Sequence, residues 1–154
     1  MACYDGHMAK PTPVSRLVHV LGGPKILRGR VHSQLELIPL IRTGLDYAAF
    51  EAVARAVDGT AEELAKAVGL ARRTLDRRRL ARKLDRDSSE RLVRLASVAA
   101  RAQEVLGDDA SMRRWLRSPN RALGGQTPIS LLDTEQGAQV VQDVLGRLEH
   151  GVYS

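Results

Sequence analysis

The chain has 154 residues with a formal net charge of +6; 44% are apolar but only five are aromatic, so we expect one domain or two very small ones. A composition rich in Ala, Leu, Arg and Glu, without strand-like alternation, favours an all-α fold. No apolar run reaches the roughly 18 residues of a membrane span, no signal peptide is recognisable, and a single Cys excludes an internal disulfide, so a cytoplasmic protein is expected.

The first predicted helices follow a start, residues 1–10, that we interpret as disordered or cloning-derived. Thr12 and Pro13 are typical of a helix start, and that helix should end at Gly22. Ser33, with Glu36 three residues on, predicts a capping box for a second helix. It should end at Gly44 and be kinked or restarted at Pro39, because proline removes a helical hydrogen bond.

The next predicted helices form a compact unit. Asp46 should cap a helix over 47–57, whose apolar residues fall on one face. Thr60 and Glu63 predict a capping box over 61–68, Gly69 provides a turn, and a further helix follows over 71–83. The last two helices and their turn fit a helix-turn-helix.

The second helix of such a motif enters the DNA major groove. Residues 72–94 contain ten basic and four acidic side chains, whereas the rest of the chain has fourteen of each, so the whole net charge lies in this stretch. A polyanionic partner is therefore expected. Arg78 occupies a position that is usually apolar, which leaves open a structural role or a protein partner instead. The candidate DNA-binding residues are Arg72, Arg73, Thr74, Arg77, Arg78 and Arg79.

The C-terminal part begins after the longest predicted helix, 88–106, which Asp87 should open. A short helix over 108–118 contains the single Trp115, expected to anchor the core of a small lobe. A loop over 119–128 leads to a helical turn capped by Thr127. Thr134 should start the final helix, with a buried stripe predicted at Val140, Val141, Val144, Leu145 and Leu148. We therefore divide the chain into a helical, helix-turn-helix region, 11–106, and a C-terminal domain, 107–154.

No constellation of residues predicts catalysis. The four histidines are scattered without metal-ligand spacing, and the glycines of 21–30 lack the spacing of a phosphate-binding loop. Neither an enzyme nor a cofactor or metal site is expected.

The C-terminal third resembles the antitoxins of RES–Xre toxin–antitoxin modules, also called MbcA/ParS-like. The matching pieces are Trp115-Leu116, the block Ala122–Gly125 before Thr127-Pro128, Leu132–Thr134 with Gly137, and the segment Gly146–Gly151. The resemblance extends upstream to about residue 20.

The resemblance implies a bacterial antitoxin with two activities. Its C-terminal domain would neutralise a RES-domain toxin that consumes NAD⁺, by placing its C-terminal end over or in the NAD pocket. Its N-terminal region would self-associate, as a homodimer, and repress its own operon by binding operator DNA. The toxin-binding residues expected on this basis are Arg147, Glu149, His150, Gly151, Val152, Tyr153 and Ser154.

Two alternatives remain open at this point. Tyr153 is either part of a plug for the toxin pocket or a cap on its own last helix. The protein as a whole has an alternative interpretation as a dimeric helix-turn-helix transcription regulator whose C-terminal lobe senses a ligand or holds a dimer together. An adjacent reading frame for an NAD-consuming protein would favour the antitoxin.

Overall fold

The computed structural model describes residues 13–151, and within that range the protein is all-α, as predicted. Two 3₁₀ turns, Arg121–Leu123 and Pro128–Leu131, lie between the last two helices. The nine α-helices of the described residues are α1 Pro13–Val20, α2 Pro24–Leu27, α3 Gln34–Thr43, α4 Tyr47–Ala56, α5 Ala61–Ala67, α6 Arg72–Ala81, α7 Arg86–Leu106, α8 Asp109–Arg117 and α9 Glu135–Glu149.

Helix α7 lies at the centre of the molecule. It packs against α1 and α3 on the N-terminal side and against α8 and α9 on the C-terminal side. Its buried residues are mostly Leu, Val and Ala, and small side chains let neighbouring helices approach closely. One hydrophobic core therefore runs through both halves of the described chain.

Two helix starts were predicted correctly. At α5 the Thr60 hydroxyl accepts a hydrogen bond from the Glu63 amide, and the Glu63 carboxylate accepts one from the Thr60 amide, which is a complete capping box. At α9 the Thr134 hydroxyl accepts from the Gly137 amide at 2.9 Å. Side-chain oxygens thus satisfy amides that have no partner inside the helix.

Three other starts differ from the prediction. Helix α7 begins two residues early, because Asp85 rather than Asp87 accepts from the Ser88 amide, at 2.7 Å. At α3 the Ser33 side chain makes no cap, while the Glu36 carboxylate accepts from the His32 amide at 2.6 Å. Asp46 precedes α4 without capping it. Asp46 pairs instead with Arg28 at 3.0 Å, a contact between residues far apart in the sequence.

Pro39 lies inside α3, and the helix is continuous over Gln34–Thr43, so the expected restart does not occur. The proline removes only the hydrogen bond to the carbonyl of Leu35, which lies near solvent because Leu35 is exposed. Helix α2, a single turn, was not predicted. Thr12, proposed as the cap of α1, and residues 1–10 lie outside the described residues.

The small C-terminal lobe is built differently from the expectation in two places. Trp115 is only partly buried, and the fully buried residues of α8 are Met112 and Leu116. Val140, expected in the stripe of α9, is 39% exposed, whereas Val141, Val144 and Leu145 are buried as predicted. At about 100° per residue, Val141, Val144 and Leu145 fall within one arc of about 100°, and Val140 lies just outside it. Leu148, the remaining member of the predicted stripe, lies within that arc and is partly buried.

Candidate DNA-binding and partner-binding surfaces

The α5–turn–α6 unit has the packing of a helix-turn-helix. Leu64 and Val68 of the first helix and Leu75 of the second are buried, as the sequence indicated. Gly69 has a φ of +70°, a left-handed conformation that glycine adopts without strain. The Leu70 amide then donates to the Ala65 carbonyl at 2.7 Å, which closes the first helix and directs the chain into α6.

The solvent face of α6 is mainly basic, and the acidic Asp76 and the large apolar Leu80 are also exposed on it. Arg73, Arg77 and Leu80 follow one another at helical spacing, and all three are exposed, so they form one outward row. Arg72 is also exposed, whereas Thr74 is half-buried on the inner side. Leu80 is 86% exposed. Leu80 was not among the residues predicted from the sequence. Its position as an apolar residue in a basic helix, in line with Arg73 and Arg77, could have indicated it.

Two of the candidate arginines are engaged within the protein. The Arg78 Nη2 lies 3.0 Å from the Asp85 Oδ2, and its Nε is buried without a hydrogen-bond partner. The Arg79 Nε donates to the Tyr47 hydroxyl at 3.3 Å, a contact that raises the pKa of this guanidinium. Hydrogen bonds from Ser88, with smaller help from Arg78, lower the pKa of Asp85. Arg78 therefore occupies a position that is usually apolar in this motif, and its charge is paired there with that of Asp85.

The C-terminal end of α6 is held against the segment before α4. The Tyr47 amide donates to the Arg82 carbonyl at 3.0 Å, and the Leu84 amide donates to the Leu45 carbonyl at 2.8 Å. Gly44 is required here, since a Cβ at this position would lie 2.1 Å from the Leu84 carbonyl oxygen. The basic face of α6 is thus fixed on a supported helix.

The end of α9 contains the described part of the expected toxin-binding set. Arg147, Glu149, His150 and Gly151 are all exposed. Gly151 has a φ of +68°, so the chain leaves the helix in the left-handed conformation expected for it. Val152, Tyr153 and Ser154 lie outside the described residues.

Glu149 makes a contact that the sequence did not reveal. Its carboxylate pairs with the Arg101 guanidinium of α7 through two contacts, one of them between Nη1 and Oε1 at 3.3 Å. Arg101 also lies 3.5 Å from Glu104. The last turn of α9 is therefore tied to the central helix.

The two halves of the protein contact each other through arginines of α8. The Arg117 Nη2 lies 2.7 Å from the Glu63 Oε2, the same carboxylate that completes the α5 capping box, and it also donates to the Asp58 carbonyl. The Arg113 Nε donates to the Ala56 carbonyl at 2.9 Å. From α7, Arg91 donates to the carbonyl of Gly69 in the helix-turn-helix turn.

The described residues offer neither a metal-binding cluster nor a membrane-spanning helix. Within residues 13–151 no three His, Cys, Asp or Glu side chains are grouped so that they would hold a metal ion. In that part of the chain no helix is both long enough and apolar enough to cross a membrane.

Comparison with protein families finds two matches, and the boundary between them falls within α7. Residues 36–97 match the antitoxin Xre-like helix-turn-helix domain. Residues 101–151 match the antitoxin Xre/MbcA/ParS C-terminal toxin-binding domain. The first match contains α3 to α6 and the start of α7, and the second contains the end of α7 together with α8 and α9.

Individual proteins show the same similarity. The chain is 40% identical over 94 residues to an "Antitoxin Xre" of Yersinia enterocolitica, covering 60% of this chain and 64% of that protein. It is 41% identical over 73 residues to an "Antitoxin Xre" of Photorhabdus laumondii, covering 47% and 49%. A "Prs ADP-ribosylating antitoxin" of a Sphingobium species is 35% identical over 80 residues, covering 46% and 50%. The chain thus spans less than two thirds of the length of these relatives.

Proposed function

We propose a two-part function for this chain. Its residues match an antitoxin Xre-like helix-turn-helix domain and an Xre/MbcA/ParS C-terminal toxin-binding domain. The C-terminal lobe binds and neutralises a toxin, and the α5–α6 unit binds operator DNA. The match of residues 101–151 to a toxin-binding domain is the observation that carries the proposal.

Neutralisation is tested by expression of the protein encoded in the adjacent reading frame. Alone it should arrest growth, and co-expression of this chain should restore growth and yield a complex that co-purifies. A dimeric transcription regulator with a ligand-sensing lobe needs no such neighbour. Absence of growth arrest together with absence of a complex would therefore favour the regulator.

The toxin that we propose is a RES-domain protein that consumes NAD⁺, and the mode of neutralisation is occlusion of its NAD pocket. Arg147 and His150 are exposed at the end of α9, and Gly151 leaves the helix in a left-handed conformation. Tyr153 adds a flat apolar ring with a hydroxyl, a combination suited to a pocket for an aromatic base. Glu149 acts here as a positioning residue, since its carboxylate is already paired with Arg101.

For DNA binding, the outward row of α6 supports contacts to base edges by Arg73 and Arg77. Leu80 lies on the same face and suits the methyl group of thymine, an apolar contact in the major groove. Arg72 and Arg82 are exposed nearby and suit phosphates. The Arg78 and Arg79 side chains make contacts within the protein instead, with Asp85 and Tyr47 respectively.

Replacement of Arg73 and Arg77 by Ala should abolish operator binding and leave toxin binding intact. In a salt titration, replacement of the phosphate-facing Arg72 and Arg82 by Ala should instead make the slope of log affinity against log salt shallower by about 2, because two counterion-releasing contacts are lost. Lys66→Ala on the neighbouring helix is the matched control. A double variant that binds the operator like the parent would contradict the placement of α6 in the groove.

Self-association is proposed through the exposed face of α3. Leu35 is 76% exposed and Ile38 is 39% exposed, one turn apart on the side of the helix away from the core. A homodimer would cover both, and paired half-sites on DNA favour a two-fold protein. Leu35→Gln with Ile38→Gln should shift the molar mass in light scattering from dimer to monomer.

A further inference from the structure

Helix α9 contains two glycines within its span, Gly137 near the start and Gly146 near the end. Glycine inside a helix is unfavourable relative to alanine, because it loses more backbone entropy and exposes the backbone to water. Each of the two therefore needs a structural reason.

The reason for Gly137 lies inside the fold. A Cβ at this position would lie 1.8 Å from the carbonyl oxygen of Leu131 and 2.8 Å from its carbonyl carbon. The second 3₁₀ turn thus passes directly over the first turn of α9, and only a residue without a side chain permits this.

Gly146 has no such reason. A Cβ at this position would meet nothing within 4 Å. Its φ is helical rather than left-handed, so the backbone conformation does not require glycine either. Its carbonyl accepts the ordinary helical hydrogen bond from the His150 amide at 3.2 Å. Within the described chain an alanine would fit and would favour the helix.

The face of α9 around Gly146 carries polar side chains. Gln142 lies one helical turn before it and His150 one turn after it, on the same face. Gln142 also lines a recess of about 170 Å³ together with residues of α1, α3 and α7; Gly146 itself lies outside this lining. The Arg101–Glu149 pair bounds the same side of the last turn.

We infer that the face of α9 centred on Gly146 receives a main-chain segment of the toxin, which approaches the helix backbone more closely than any side chain would permit. This inference rests on the proposed function and names the surface that performs it. Gly146 lies within residues 101–151, which match a toxin-binding domain, and directly before the exposed end Arg147–Gly151.

The chemistry around Gly146 suits a peptide backbone. The amide of Gln142 both donates and accepts hydrogen bonds, as a peptide group does, and His150 adds a ring nitrogen on the other side. A missing Cβ leaves room for a partner carbonyl or Cα to reach van der Waals contact with the helix. One added methyl group would then push the partner away along the whole contact.

The experiment uses the full chain and the protein encoded in the adjacent reading frame, with affinities measured by calorimetry. Gly146→Ala should weaken binding about tenfold or more, because a rigid interface does not absorb an added methyl group, and Gly146→Gln should weaken it further. The melting temperature of Gly146→Ala should equal or exceed that of the parent. Gly29→Ala is the matched control, since a Cβ there also meets nothing within 4 Å, and it should leave the affinity unchanged.

The outcomes separate the inference from the function on which it rests. If the parent chain binds and Gly146→Ala binds within about twofold of it, which is under 1 kcal/mol, the inference is wrong and the function stands. If Gly146→Ala instead changes only the dimerisation of the chain, the face belongs to a second copy and the inference is again wrong. If the parent does not bind the adjacent protein at all, the proposed function itself fails.

Discussion

At the scale of single residues, Asp85 shows how one carboxylate serves two neighbouring elements. It caps α7 by accepting from the Ser88 amide, and it pairs with Arg78 of α6. Its folded-state pKa is lowered mainly by the hydrogen bonds from Ser88. Its charge therefore stabilises the fold above its ordinary pKa of 3.8, and this contribution is lost as the pH falls through the lower folded-state value.

We predict that Asp85→Ala lowers the free energy of unfolding by about 1 kcal/mol at neutral pH through loss of the cap. Asp85→Asn should keep most of the cap but lose the charge, so its stability should vary less than that of the parent below the ordinary pKa of the carboxyl group. Urea denaturation of the three proteins along an acid series measures both effects. An unchanged acid dependence in Asp85→Asn would show that other carboxylates dominate it.

Arg78 permits a second prediction at this scale. Its guanidinium is engaged with Asp85, and its Nε is buried without a partner, so it contributes little beyond filling an apolar position. Arg78→Leu should keep the free energy of unfolding within about 1 kcal/mol of the parent, because the Asp85 side chain that it leaves is 37% exposed to water and still accepts from the Ser88 amide. Operator affinity should stay within about twofold. A large loss of DNA binding without a loss of stability would instead place Arg78 on the DNA.

At the scale of helices and turns, the packing of α9 against the second 3₁₀ turn depends on Gly137. Gly137→Ala should destabilise the protein by about 1–3 kcal/mol, because the Cβ would collide with the backbone of Leu131 and the turn must move. Gln136→Ala, an exposed neighbour, is the control and should have little effect. Thermal unfolding of the two variants compares them directly; equal melting temperatures would mean that the 3₁₀ turn yields freely.

Helix starts illustrate what the sequence predicts well and what it does not. Thr60-x-x-Glu63 was recognisable because both halves of the box lie within four residues of each other. Asp85 and Asp87 are equally good caps by residue type, and only the structure shows that Asp85 accepts from the Ser88 amide and also pairs with Arg78 of another helix. The same limitation hid the engagement of Arg79 with Tyr47, 32 residues away. Local chemistry was predictable, while long-range pairing was not.

At the scale of the whole molecule, the helix-turn-helix region and the C-terminal lobe share one core. Helix α7 belongs to both, and Arg117 joins the first turn of α5 to the C-terminal lobe. The sequence predicted the order of the two parts, because the charge bias and the glycine-rich block lie far apart in the chain. The sequence did not predict the contact between the two parts, because Arg113 and Arg117 have the pattern of an ordinary basic helix surface that faces solvent.

The central claim is that this chain neutralises an NAD⁺-consuming toxin with the end of its C-terminal lobe. The most direct measurement is intracellular NAD⁺ in cells that express the adjacent toxin alone, with the full chain, or with a chain stopped after Gly151. The shorter chain retains α9 and the Arg101–Glu149 pair, so it should still co-purify with the toxin. We predict that only the full chain preserves NAD⁺; equal protection by the shorter chain would contradict pocket occlusion, and no protection by either would contradict the antitoxin assignment.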